Sequence, residues 1–396
     1  MRINKEDKRR LKWGLAPFLL VWAALPGLFV LGGCPHTNDP GNNPPASTPY
    51  DPGPRPSVVP DGFVWVPGAS VTGSDAYKAS FVYPEGATYA GETGVQYGAF
   101  VEGRAVTVKS FFMAKYEVAY GWWHEVYQWA VSDERGAAKY VFANQGRETP
   151  RSAPGAAPTD QRDHPVIDIS WRDAVVWCNA ASEKDGLDPV YYRYGGEAVL
   201  RQSSDVSGVN QAADRAVMKR EHNGYRLPTM CEREFAARGG DPSLPDWLYR
   251  YSGSDDPDEV AWYWRTSGAG LSKEPGYEAD PTSHPDYGAH AGGEKKPNRL
   301  DIYDLSGNVM EWGWDWMHFA GNGILPASSG FGGKKLDPSL PEEGPPYGQG
   351  YTQKPMSGGS WYSSSPYSLN AMWWGYTTNY HDTWVGFRVV RGISEE

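Results

Sequence analysis

Apolar and polar positions change period several times along this chain. Phe63-Val64-Trp65-Val66 is an unbroken β-favouring run stopped by Pro67-Gly68, and it predicts a strand. Ala105–Phe112 predicts a second strand. The pattern from about Tyr120 to Ala130 predicts a first helix. The second helix is clearer, because Ala174, Trp177, Cys178 and Ala181 recur at helical spacing and form one apolar stripe. Ser170 is placed to cap it, with Asp173 in capping-box relation and Gly186 at its end. A third helix opens at Thr229, with Glu232 as the partner of the cap, and stops at Gly239-Gly240. Residues 241–295 and Gly321–Pro355 are long, mostly polar excursions and read as surface loops.

The first 34 residues have another pattern. Lys5, Lys8, Arg9, Arg10 and Lys12 precede an apolar run from Trp13 to Val30, which ends in Leu31-Gly32-Gly33-Cys34. A basic head, an apolar middle and small residues before the end make an export signal. The ending looks like a bacterial lipobox, with cleavage before Cys34 and acylation of its thiol. The alternative is a single transmembrane anchor, for which the run is near the lower length limit. Residues 35–60 are rich in Pro, Asn, Gly and Ser, cannot bury enough apolar surface to fold, and read as a tether to a head domain at 61–396.

Composition adds three points. Aromatic residues make up 14%, with 47 Gly and 33 Pro, so rings packed among loops are expected rather than long regular elements. A net charge of −11 argues against a nucleic-acid partner, which needs clustered Lys and Arg. Beyond Cys34 there are two cysteines. Cys178 on its apolar stripe reads as a small core residue. Cys231 lies in a first helical turn, where the dipole lowers a thiol pKa. A disulfide between them stays open in an exported protein. His124-Glu125 begins a zinc-helix pattern, but Gln128 stands where the second His is needed.

The stretch with the most chemistry is Asp304-Leu305-Ser306-Gly307-Asn308-Val309-Met310-Glu311-Trp312. Two carboxylates flank a Ser-Gly-Asn turn in an otherwise apolar segment. Such a turn is either an oxygen cage for a hard cation such as calcium or a plain hairpin with both acids in water. Here the chain resembles the formylglycine-generating enzyme family, the sulfatase-modifying-factor domain. The segments carrying the resemblance, in order, are Phe63–Ser74, Phe111–Val118, His164–Ser182, Gly224–Gly240, Lys296–Trp312, Ser357–Trp361 and Val385–Arg391.

The resemblance implies a single α+β domain of the C-type-lectin-like kind, with little regular secondary structure. It implies calcium held by the side chains of Asp304 and Glu311 and the carbonyls of Gly307 and Val309. A second family calcium site uses an Asn that is missing from Ala261-Trp262-Tyr263-Trp264. Active members carry two cysteines after Gly-Gly-Ser-aromatic that bind Cu(I) and oxidise a substrate cysteine. Here Gly358-Gly359-Ser360-Trp361 is followed by Ser363 and Ser368 at those positions. Hydroxyls do not replace thiolates for a soft cation, so copper is not expected. The Arg-rich segment of the enzymes is here Leu369–Trp374, and a family Trp is Met310. The family's iron-dependent branch needs a His-x3-His-x-Glu motif that this chain lacks. A Ser hydrolase built from Ser363, Ser364, Ser365 or Ser368 with His381 and Asp382 has no G-x-S-x-G elbow to support it.

Two functions remain. One is a lipid-anchored module of the bacterial cell envelope, periplasmic or surface-exposed, holding a peptide or glycan in a groove lined by Trp361, Trp373, Trp374, Tyr376 and Tyr380. The other is a formylglycine-generating oxidase acting on an exported sulfatase or other protein.

Overall fold

Strands β1 (Phe63–Val66), β2 (Ala69–Thr72), β3 (Ala79–Val82), β4 (Thr93–Gln96), β5 (Ala105–Val108) and β6 (Phe111–Ala114) precede two helices, α1 (Tyr120–Ala130) and α2 (Trp171–Lys184). Short strands β7 (Tyr191–Tyr192), β8 (Val217–Met218) and β9 (Tyr225–Arg226) lead to α3 (Met230–Ala237) and the single turn α4 (Pro257–Val260). The C-terminal part holds β10 (Met310–Trp312), β11 (Met317–His318), β12 (Tyr351–Ser357), β13 (Trp373–Tyr376), β14 (Val385–Gly386) and β15 (Val390–Gly392). This computed structural model describes residues 51–82, 93–204, 213–267, 287–318 and 351–393. The leader, Cys34 and most of the expected tether lie outside the described residues, as do most of the 321–355 excursion and the middle of 241–295. Pro49–Glu396 form one compact unit.

One sheet has the order β1-β6-β15-β9, so the first and last described strands share a layer, with Val390 opposite Met113. A second runs β11-β12-β10-β14, with β13 also on β12. In it β10 pairs antiparallel to β12 and parallel to β14. Helix α2 packs on α1 and β9 through a ring cluster in which Trp123 stacks on Trp177 at 5.9 Å and Phe387 meets Trp177 edge-on at 5.4 Å. Burial of such rings supplies most of the driving force.

Both expected caps are present. Ser170 accepts from Asp173 N and Thr229 from Glu232 N, each with the reciprocal bond of a capping box. Glu232 also holds Arg226 through two bonds of 2.7 Å. Burial pushes the Glu232 carboxyl up, but Arg226, Arg220 and the cap bond outweigh it and bring it down to about 2.

One expectation needs correction. The single strand over Ala105–Phe112 is two strands in different sheets, β5 on β2 and β6 on β1. The break at Lys109-Ser110 faces the corner at Pro67-Gly68, where Ser110 Oγ accepts from Gly68 N at 3.0 Å. A Cβ on Gly68 would lie 2.3 Å from Val108 O, so both chains turn there together. Cys178 and Cys231 form no disulfide. Both are fully buried on separate helices, and burial pushes the Cys178 thiol well up. Val59 packs against the main core and Ser110 Oγ donates to Pro52 O at 3.3 Å.

Candidate functional site

The turn at 304–312 is built from unusual backbone. Asp304, Gly307 and Asn308 have φ of +57°, +85° and +58°. A Cβ on Gly307 would lie 2.4 Å from Trp262 O, which only glycine tolerates. Asn308 accepts the left-handed region more readily than most residues, and its amide ties the turn down. Oδ1 accepts from His290 N at 2.9 Å, and Nδ2 donates to Glu117 Oε2 at 2.6 Å and to His290 O at 3.2 Å. Ser306 Oγ donates to Ser368 O at 2.8 Å, and Asn308 O accepts from Trp361 N at 2.7 Å. The turn thus sits at the centre of the site, bonded to three distant segments.

Neither acid of the turn faces water. Glu311 on β10 is 1% exposed and lies between two buried arginines. Arg388 reaches Oε1 through Nε at 2.9 Å and Nη2 at 2.8 Å, and Arg233 reaches Oε2 at 3.3 Å. Asp304 Oδ2 accepts from Gly293 N at 2.8 Å, while its buried Oδ1 has no hydrogen-bond partner among the described residues. A third carboxylate, Glu117, sits beside them, its Oε1 taking Val309 N at 3.0 Å. Burial, then the Asp304 and Glu311 charges, hold Glu117 well above the usual carboxylate range. Burial likewise brings Asp304 up to about 6. The interior here carries three acids and two arginines.

These residues only half fit the calcium set implied above. Asp304 offers an orphaned buried oxygen in a region of excess negative charge, which suits a hard cation. Glu311 has both oxygens committed to guanidinium groups. Among the described residues no three His, Cys, Asp or Glu are grouped to share a metal ion.

The serines follow β12, which delivers Gly358-Gly359-Ser360. Ser363 Oγ accepts from Ser360 N at 2.7 Å and contacts Ser360 Oγ at 3.3 Å. Ser360 and Ser363 line a cavity of about 270 Å³ with Met310, Trp374, Tyr376 and Trp384. Tyr362 and Tyr367 complete its wall, and among the described residues no charged side chain lines it. Ser368 is elsewhere: it closes the short helical turn Ser365–Ser368, is fully buried, and its Oγ has no partner. The donors at the two cysteine positions are therefore hydroxyls, one in the cavity wall and one in the core. The hydrolase grouping does not assemble. His381 Nδ1 lies 2.7 Å from Asp168 Oδ1, whose other oxygen takes Arg147 Nε at 2.6 Å, and Asp382 caps Thr383 N at 2.7 Å.

The expected ring-lined groove divides. Trp374 and Tyr376 line the cavity, whereas Trp361 and Trp373 are 1% and 2% exposed and belong to the core. Successive residues of a strand point to opposite faces, so Trp373 and Trp374 cannot share a wall. Trp361 instead donates its indole N–H to Thr383 O at 3.1 Å. Tyr380 stacks behind Tyr376 at 4.3 Å, and Tyr367 stacks on Trp374 at 5.5 Å. Tyr362, Tyr367 and Trp384 were not anticipated as lining. Their only sequence signal is ring density around the Gly-Gly-Ser segment.

Residues 52–393 match the family model described as the sulfatase-modifying factor enzyme 1-like domain. A protein of Paenibacillus barcinonensis named chaperone protein LppX is 34% identical over 218 residues, covering 53% of this chain and 64% of its own length. The match thus spans less than two thirds of that relative. Among solved structures, CarF superposes with a TM-score of 0.55 at 24% identity, over 85% of this chain and all of its own. Treponema denticola variable protein 1 gives 0.50 at 23% identity, over 79% of this chain and 94% of its own. These two share the fold. With the turn, its two arginines and the Gly-Gly-Ser segment in place, this chain belongs to the sulfatase-modifying factor (formylglycine-generating enzyme) family.

Proposed function

We propose that this protein is a lipid-anchored binding module of the cell envelope that uses the serine-side cavity to hold an uncharged segment of a peptide or glycan. The observation that carries this is the cavity's chemistry among the described residues: rings and hydroxyls, no thiol and no charge. A Cu(I) oxidase needs a thiolate pair, and serine hydroxyls stay protonated and hard. Trp374 adds a buried indole N–H without an acceptor among the described residues, a group that a ligand carbonyl or hydroxyl would satisfy. That a relative bears the name chaperone fits a protein that binds others. In the turn, Asp304 and the carbonyls of Gly307 and Val309 would hold a calcium ion, offsetting part of the acid excess, while Glu311 stays with its arginines.

Binding is tested with peptide and glycan arrays probed by the full chain and by Trp374→Ala. Loss of about tenfold in affinity for the captured ligand is expected from removing one stacking ring with its N–H. Conversion of a Cys-x-Pro-x-Arg peptide to an aldehyde by the unaltered protein, with copper and oxygen, would instead establish the oxidase. The anchor is tested separately. Labelled fatty acid should enter the wild type and not Cys34→Ala, and label in the variant refutes the lipobox.

A further inference from the structure

A second cavity, of about 580 Å³, lies where β1 and α1 meet the segment at Ala291-Gly292. None of its lining residues is shared with the serine cavity. Part of its wall is aromatic: Phe63 stacks on Tyr225 at 5.9 Å, and Trp122 meets Tyr225 edge-on at 5.5 Å. The rest of its polar character is acidic. Asp61, Asp163 and Asp185 are exposed around it and Glu117 is buried, 5% exposed. Among the described residues no Lys, Arg or His lines it.

Among the described residues none of these four carboxylates makes an ion pair. Glu117 receives one bond from Val309 N and one from Asn308 Nδ2, out of about four acceptor positions on a carboxylate. Glu117 thus keeps unused acceptor positions, and the cavity is the route by which a donor group can reach it. A metal ion suits the site poorly, since no three acids are grouped to ligate one and ring faces offer no oxygen. Rings and separated carboxylates together suit an organic cation, whose stem packs on the rings while its charge meets the acids. Tyr225 already accepts such a partner from the chain itself, with the Arg391 guanidinium 5.4 Å from its centre.

We infer that this cavity binds an alkyl guanidinium or alkyl ammonium group of the kind carried by arginine and lysine side chains. The inference does not rest on the reading of the serine cavity.

The test is calorimetric titration of the full chain with Nα-acetyl-arginine amide and with its citrulline counterpart, which has nearly the same shape and no charge. The arginine probe should bind at least about tenfold more tightly, because cation–π attraction and the acids are lost together. Asp61→Asn combined with Asp163→Asn, both at exposed positions, should weaken the arginine probe about tenfold and leave the melting temperature unchanged. Trp374→Ala, in the other cavity, should leave the arginine probe unaffected. Agmatine binding like the acetylated amide would assign the site to free amines, and a gain on placing the arginine in a peptide would assign it to polypeptides; both support the inference. Equal affinity for the arginine and citrulline probes, no heat from either, displacement by equimolar calcium, or loss on Trp374→Ala alone would overturn it.

Discussion

Asp304 and Glu311 enter the interior with the same charge and opposite circumstances. Glu311 is matched by Arg388 and Arg233, whereas Asp304 has a bare buried oxygen. Calcium dependence, if carried by this turn, therefore belongs to Asp304. A ligand bound only by the folded state raises stability by roughly 2.7 kcal/mol at a hundredfold excess over its dissociation constant. Chelator should lower the melting temperature of the wild type, and Asp304→Ala should melt alike with and without chelator. A wild-type melt indifferent to chelator sinks the calcium reading. Glu311→Ala should be destabilised under both conditions, because it leaves two buried arginines unpaired. The turn was legible from Ser306-Gly307-Asn308, but its surroundings were not. Arg233 and Arg388 lie 78 and 77 residues from Glu311 in sequence, and no local pattern announces that they meet there. The same is true of Lys354, which is fully buried against Trp171, Trp314 and Trp316 with its amine on Trp314 O at 2.7 Å. A lysine in a strand normally reads as a solvent position.

The helices were the most legible elements, because a cap, an apolar stripe and a stop are all local signals. Their boundaries follow from Ser170, Thr229 and the glycines beyond each end. Hidden in the sequence was how much else one cap residue does. Asp173 accepts from Ser170 N at 3.0 Å and from Ser170 Oγ, and also from Ala143 N at 3.0 Å, Asn144 Nδ2 at 2.7 Å and Ser203 Oγ at 2.6 Å. It joins α2 to two segments that the helix pattern does not mention. An ordinary cap is worth about 1 kcal/mol, and stranded buried donors add roughly 1–3 kcal/mol. Asp173→Ala should therefore cost about 3 kcal/mol in denaturant unfolding, well above Ser170→Ala. Equal losses in the two variants would show that Asp173 acts as a cap alone. Strands were less legible. Ala105–Phe112 reads as one run because both halves favour β structure, and only the partner's Pro67-Gly68 corner shows that the pairing changes there.

At the level of the whole molecule, the family was readable because its motifs are the packing and turn residues that bring distant segments together: the caps, the Ser-Gly-Asn turn and the Gly-Phe-Arg segment at 386–388. The cavities were less readable. Their walls draw single residues from many segments, and a side chain's face depends on sheet register. That is why Trp361 and Trp373 went to the core while Tyr362 and Trp384 supplied the wall.

The pairing of β11 with β12 has a consequence for how this chain can vary. Met317 stands opposite Gln353, so the chain leaves the second sheet and returns to it at neighbouring positions. Whatever lies between joins the two strands of one antiparallel pair, so a change in the length of 319–350 is expected to be nearly neutral for the fold. Closing a loop costs only about 0.6 kcal/mol per doubling of its length. Replacing these 32 residues with a four-residue Asn-Gly turn should thus shorten the loop by about three doublings and raise stability by roughly 2 kcal/mol at most. A soluble, cooperatively melting product is the expected result, and a product that fails to fold would mean that 319–350 supplies core contacts. If the fold holds, the length of chain between these two strands can change without disturbing the turn, the arginines or the strand pairing.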